Sequence, residues 1–208
     1  MQGTFAKMPT PSQNQTMNAT DLAGIIEFLR AAEQLKNTTR TSWTSSGAQE
    51  TVAAHTWRLC LMSLLFERSF PGIDIAKLIK ICIIHDLGEA IGGDISAVEQ
   101  QRRPAKAEQE RADLQKLLSP LPVDLREEIT ALWDEYEAAT SREAKIAKAL
   151  DKLETIMQHN QGQNPPGFDY RFNLEYGKQY TVGEPLIESI REVLDEETEE
   201  RARFFDRR

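Results

Sequence analysis

Cysteine and histidine are both scarce in this chain, with two of the first and three of the second among 208 residues. Cys60 and Cys82 sit among apolar neighbours and read as small core residues, so no disulfide framework is expected and a reducing cytoplasm is the predicted compartment. No apolar stretch reaches the roughly 20 residues that span a bilayer, and the polar segment Met1–Asn18 has no apolar centre of the kind a secretory signal needs. Basic charge is also short. A net charge of −8 argues against a nucleic-acid polymer or a membrane surface as partner. It still permits a small anionic ligand, because a bound cation and one or two arginines can invert the potential locally. Strict polar–apolar alternation and Asn-Gly turns are missing too, which removes the usual signs of a sheet.

What remains is helical periodicity around one core, for which 208 residues and 40% hydrophobic content are ample. Residues 1–18 read as a disordered lead and 19–208 as a single all-α helical bundle. Helices are predicted over Asp21–Leu35, 50–68, 75–89, 104–118, 122–138, 141–159 and 183–204. Residues 36–49 are expected to form a polar loop. Thr140-x-x-Glu143 and Ser96-x-x-Glu99 are candidate capping boxes, Gly92-Gly93 stops the third helix, and Asn164-Pro165-Pro166-Gly167 is a breaker.

Against that background one doublet stands out. His85-Asp86 ends the apolar run Ile79-Lys80-Ile81-Cys82-Ile83-Ile84, where an imidazole and a carboxylate are costly to desolvate without a partner. A divalent cation suits both. His55 on the preceding helix and Asp151 on a later one can complete a four-residue centre with positions left for water and substrate. Mn, Co, Ni, Fe, Zn or Mg are all compatible with such a mixed set. Glu89, on the last turn of the predicted third helix, shares the face of the doublet and is placed to act as a general acid or base. An acid at a helix C-terminus is disfavoured by the macrodipole, which argues that Glu89 has work to do there. Asp94, just past the glycines, can accept hydrogen bonds from substrate hydroxyls.

These residues resemble the HD-domain phosphohydrolases, and more narrowly the small 5′-deoxynucleotidases among them, over roughly residues 22–180. The stretches that carry the resemblance are Arg40-Thr41-Ser42-Trp43, Glu50-Thr51-Val52-Ala53-Ala54-His55, His85-Asp86-Leu87-Gly88-Glu89-Ala90 with Gly93-Asp94-Ile95, and Asp151-Lys152-Leu153-Glu154. The resemblance implies that His55, His85, Asp86 and Asp151 hold the metal, that Glu89 assists proton transfer and that Asp94 binds a sugar hydroxyl. It further implies that Arg40 holds the phosphate, that Trp43 packs against the sugar, and that the chain forms a homodimer acting on a small nucleotide. Binuclear relatives carry extra histidines between the doublet and the last aspartate. None occurs here, so one divalent ion is expected, and His159, which follows Asp151, is expected at the surface. Ala54 departs from relatives that place a polar or acidic residue before the histidine.

Alternative activities are an alarmone or dNTP hydrolase of the same superfamily, or a non-catalytic nucleotide-binding protein that keeps its metal for folding. Alarmone hydrolases follow the doublet with adjacent Glu and Asp, whereas Ala90 follows Glu89 here. A dNTP hydrolase would need a longer chain with more cations, and a purely structural metal would need none of Arg40, Glu89 and Asp94.

Overall fold

The computed structural model describes residues 17–95 and 106–205. Nine α-helices occur among them: α1 (Ala19–Ala32), α2 (Val52–Phe66), α3 (Ile75–Ile84), α4 (Glu89–Gly92), α5 (Lys106–Leu118), α6 (Val123–Ala138), α7 (Arg142–Gln161), α8 (Phe172–Glu175) and α9 (Pro185–Phe205). The bundle expected from apolar periodicity is present. No helix among the described residues is long and apolar enough to cross a membrane. Most of the proposed lead, and the Ser96-x-x-Glu99 box, lie outside the described residues.

Helix starts are set by side chains that take up otherwise orphaned backbone N–H groups. Asn18 accepts from Asp21 at α1, Thr51 from Ala54 at α2, and Asp74 from Lys77 at α3. At α7 the cap is Ser141, which accepts from Ala144, rather than Thr140 as the sequence motif suggested.

α7 is the axis of the fold. Fourteen of its twenty residues are buried, so every polar group on it must find a partner inside the protein. Ile146, Leu150, Leu153 and Ile156 pack with Leu59 and Met62 of α2, Leu78 and Ile81 of α3, and Ile187 and Leu194 of α9. A second cluster joins Val52, Ile84, Leu87, Leu114, Leu118 and Trp133. The doublet lies at the seam, with Ile81 and Cys82 in the first cluster and Ile84 and Leu87 in the second.

Two features differ from the sequence reading. Residues 36–49 are not a plain loop. They contain β1 (Thr39–Trp43), which pairs antiparallel with β2 (Gln49–Thr51) through Thr39↔Thr51 and Trp43↔Gln49, with an irregular register between. The run Thr-Arg-Thr-Ser-Trp has the β-branched and aromatic content of a strand, but it is too short for alternation to reveal it. The ribbon lies on the C-terminal half of α7, where the Trp43 carbonyl accepts from Gln158 Nε2 at 2.5 Å. Gly162 makes that approach possible, since a Cβ there would stand 2.1 Å from the Trp43 carbonyl oxygen. Gly162→Ala is therefore expected to cost about 1–3 kcal/mol. A melting curve should show it, at roughly 2–4 °C per kcal/mol for a chain of this size; an unchanged midpoint would contradict the contact.

The third helix also ends sooner than predicted, at Ile84. Residues 85–88 run through tight turns in which Leu87 N bonds Ile84 O and Glu89 N bonds Asp86 O. The carbonyl of His85 is taken instead by the Trp133 indole N–H at 3.0 Å, a side chain 48 positions away. Glu89 thus opens the short α4 rather than closing α3, and no helix C-terminal dipole opposes its charge as the sequence suggested.

Candidate metal centre

Three elements deliver the four expected ligands. His55 comes from the first turn of α2, His85 and Asp86 from the turn after α3, and Asp151 from the middle of α7. The structure brings all four together. His55 Nε2 is 3.2 Å from Asp151 Oδ1 and 4.0 Å from Asp86 Oδ2, while His85 Nε2 is 3.0 Å from Asp86 Oδ2 and 3.9 Å from Asp151 Oδ1. Ligand atoms of His55, His85 and Asp86 all lie within 4.8 Å of one another.

The opposite edges of both rings are committed. His85 Nδ1 is 2.8 Å from the Cys82 carbonyl, to which only an N–H can donate. His55 Nδ1 makes a short contact to Glu154 Oε2. Both Nε2 atoms are buried and complete no hydrogen bond. Two buried imidazole nitrogens whose Nδ1 edges are anchored elsewhere, each within 4.0 Å of an Asp86 and an Asp151 oxygen, are with those oxygens a donor set that fits a divalent cation.

Electrostatics agree with this fit. Burial raises Asp86, yet His85 and His55 hold it well below the usual carboxylate range. Burial likewise opposes Asp151, and Lys152 with the two histidines drives it well down. Asp151 Oδ2 accepts from Tyr136 Oη and Lys152 Nζ, both at 2.8 Å, which leaves Oδ1 for the histidines. Burial and Arg40 lower His55, but Glu154 and Asp151 outweigh them and lift it to about 9. A cation bound there would take the same Nε2 lone pair that a proton takes.

Arg40 reaches the edge of this cluster from β1. Its Nη2 donates to Thr155 Oγ1 at 2.9 Å, Nη1 is 3.6 Å from Asp86 Oδ2 and Nε is 3.5 Å from Glu50 Oε2. Burial lowers its pKa, but Asp86, Glu154, Asp151 and Asp94 outweigh burial and raise it above the usual arginine value, so it stays charged. Asp94 is half-buried and close enough to act on Arg40. Glu89 is buried one tight turn after Asp86, with its carbonyl 3.4 Å from Thr38 Oγ1. Trp43 is half-buried and meets α7 through its carbonyl.

The sequence reading assigned no role to Glu154, Arg58, Tyr136, Lys152 or Thr155. Glu154 and Thr155 stand three and four residues after Asp151, and Arg58 three after His55, spacings that place them on the ligand faces of their helices. That signal was present in the sequence. His159 was expected at the surface and is buried. Its Nδ1 lies 2.9 Å from Asn173 Oδ1 and its ring meets Phe168 edge-on at 4.8 Å.

Burial pushes His159 down to about 4, helped by Arg40 and opposed by Asn173 and Glu154. Above the usual imidazole value of 6.5 both folded and unfolded states are neutral there, and stability is complete. As pH falls from 6.5 toward 4 only the unfolded chain takes the proton, so stability falls by about 3 kcal/mol over that window. His159→Gln should flatten this part of a denaturation-versus-pH curve. Identical slopes for the two proteins would contradict the assignment.

The HD domain family model matches residues 32–191. The 5′-deoxynucleotidase HDDC2 of Bos taurus is 33% identical over 165 residues, spanning 77% of this chain and 80% of its own length. The 5′-deoxynucleotidase hdd1 of Schizosaccharomyces pombe is 32% identical over 198 residues, covering 91% of this chain and 96% of its own. Among solved structures, a predicted metal-dependent phosphohydrolase from Magnetospirillum magnetotacticum superposes with a TM-score of 0.77 at 26% identity, over 88% of this chain and 94% of that one.

Proposed function

This chain belongs to the HD domain family, and from that premise we propose that it is a metal-dependent phosphohydrolase that removes the 5′-phosphate from deoxyribonucleoside monophosphates. The observation that carries the reading is the convergence of two anchored imidazoles and two carboxylates beside a half-buried arginine. The relatives named 5′-deoxynucleotidases support the substrate class.

Phosphate monoesters hydrolyse very slowly unaided, so the site must neutralise charge, position a nucleophile and protonate an alcohol. His55, His85, Asp86 and Asp151 would hold one divalent ion. When bound, the ion supplies charge neutralisation at a phosphate oxygen and acidifies a water for attack. Arg40, fixed by Thr155 and flanked by Glu50 and Asp86, presents a permanent positive charge to the phosphate. Glu89 is the carboxyl assigned to proton transfer. Asp94 accepts from a sugar hydroxyl, and Trp43 packs against the sugar.

Homodimerisation is proposed as well. Trp57, Leu61, Leu64 and Leu65 form an exposed apolar stripe at helical spacing along α2, a face a second copy would cover.

Phosphate release measured across the common ribo- and deoxyribonucleoside mono- and triphosphates, with Mn, Co, Mg and Zn in turn, tests the substrate assignment. Deoxyribonucleoside 5′-monophosphates are expected to be preferred. Preference for ribonucleotides or triphosphates would overturn it.

A further inference from the structure

We propose that Arg58 and Glu154 are positioning residues that set how tightly the centre holds its cation; the inference rests on the metal-centre reading above. Neither residue is among the four ligands. The Glu154 side chain is fully buried, and its two oxygens are divided between two tasks. Oε2 takes the Nδ1 edge of His55, while Oε1 accepts from Arg58 Nε at 2.6 Å and lies 2.5 Å from Arg58 Nη2. A carboxylate on Nδ1 fixes the imidazole so that Nε2 turns to the cation, and it makes that nitrogen a stronger donor. A planar guanidinium behind the carboxylate fixes the carboxylate in turn.

The relay extends one step further. Arg58 Nη2 is 3.9 Å from Glu50 Oε1, and Glu50 Oε2 is 3.5 Å from Arg40 Nε. One buried carboxylate thus stands between the arginine that orients His55 and the arginine assigned to phosphate. Glu50, His55 and Glu154 lie close enough to suggest a second cation site. Two guanidinium groups already neutralise those carboxylates, so we assign the trio to positioning.

The test is cation affinity rather than turnover alone. Co(II) binding to the metal-free full chain is measured by competition with a chromophoric chelator for the native protein, Glu154→Gln, Arg58→Met and Arg58→Lys. Affinity is expected to fall by about 10–100-fold in Glu154→Gln and Arg58→Met, the range seen when a ligand's hydrogen-bond partner is lost. Arg58→Lys should recover part of the loss, and the visible Co(II) spectrum should change in Glu154→Gln. At saturating Co(II) the KM for a deoxynucleotide should stay near the native value. Should Glu154→Gln fail to fold, Arg58→Met still decides the matter, because the Arg58 side chain keeps 18% of its surface exposed whereas that of Glu154 keeps none. Native affinity in Arg58→Met, with only a lowered melting temperature, would overturn the positioning role while leaving the metal centre intact. A native chain that binds no divalent cation would overturn both.

Discussion

Asp86→Asn should lower phosphate release by roughly a thousandfold, the several kcal/mol that a bound cation contributes to charge stabilisation. Asp86 Oδ2 stands 3.0 Å from His85 Nε2 and 4.0 Å from His55 Nε2, so it faces both nitrogens at once. The amide matches it in shape but carries no charge to balance a cation. The carboxylate is also the least buried of the four candidate ligands, 19% exposed at its side chain, and its cationic neighbour Arg40 keeps Glu50, Glu154 and Asp151 as partners, so the substitution does not strand that charge. Asp151→Asn would be a poorer probe, because Tyr136 and Lys152 both depend on Asp151, and breaking a buried pair costs about 3–5 kcal/mol. Thermal melting separates loss of metal from loss of fold. Added metal should raise the melting temperature of the native chain, by mass action on the folded state, and should leave Asp86→Asn unmoved. Near-native activity in the variant would remove Asp86 from the centre.

Glu89→Gln carries the second large effect. Glutamine keeps the size and hydrogen-bonding reach of the side chain but cannot transfer a proton at neutral pH. If Glu89 protonates the leaving alcohol or deprotonates the attacking water, kcat should fall by about 10²–10⁴-fold. The metal-induced gain in melting temperature should persist, since Glu89 is not a ligand in this account, and KM should move little. Unchanged kcat would assign the proton transfer to another group. Loss of the metal-induced gain would make Glu89 part of the cation site.

The contrast between what the sequence disclosed and what it concealed has a physical basis. Helices such as α7 and α9 bury long apolar stripes, and 3.6-residue periodicity makes these visible. The four candidate ligands were legible because polar residues in apolar surroundings require a partner, and one divalent cation would suit His55, His85, Asp86 and Asp151 together. Features that depend on distant contacts were concealed. The turn at residues 85–88 forms where Trp133 takes the His85 carbonyl, and nothing within the local stretch announces that bond. The ribbon of β1 and β2 is two short strands whose seating depends on Gly162 of another element. In sequence His159 stands at the polar end of a helix, yet Asn173 and Phe168 fold back to cover it. Glu154 and Arg58 form an intermediate case, since their spacing from Asp151 and His55 was readable while their mutual contact was not.

The most direct test of the account is a titration of the metal-free chain with Mn(II) or Co(II), following phosphate release from a deoxyribonucleoside 5′-monophosphate. Activity should rise from background to a plateau with its break at one ion per chain. A break at two ions per chain, or full activity in the presence of a strong chelator, would contradict a single-ion phosphohydrolase built on His55, His85, Asp86 and Asp151.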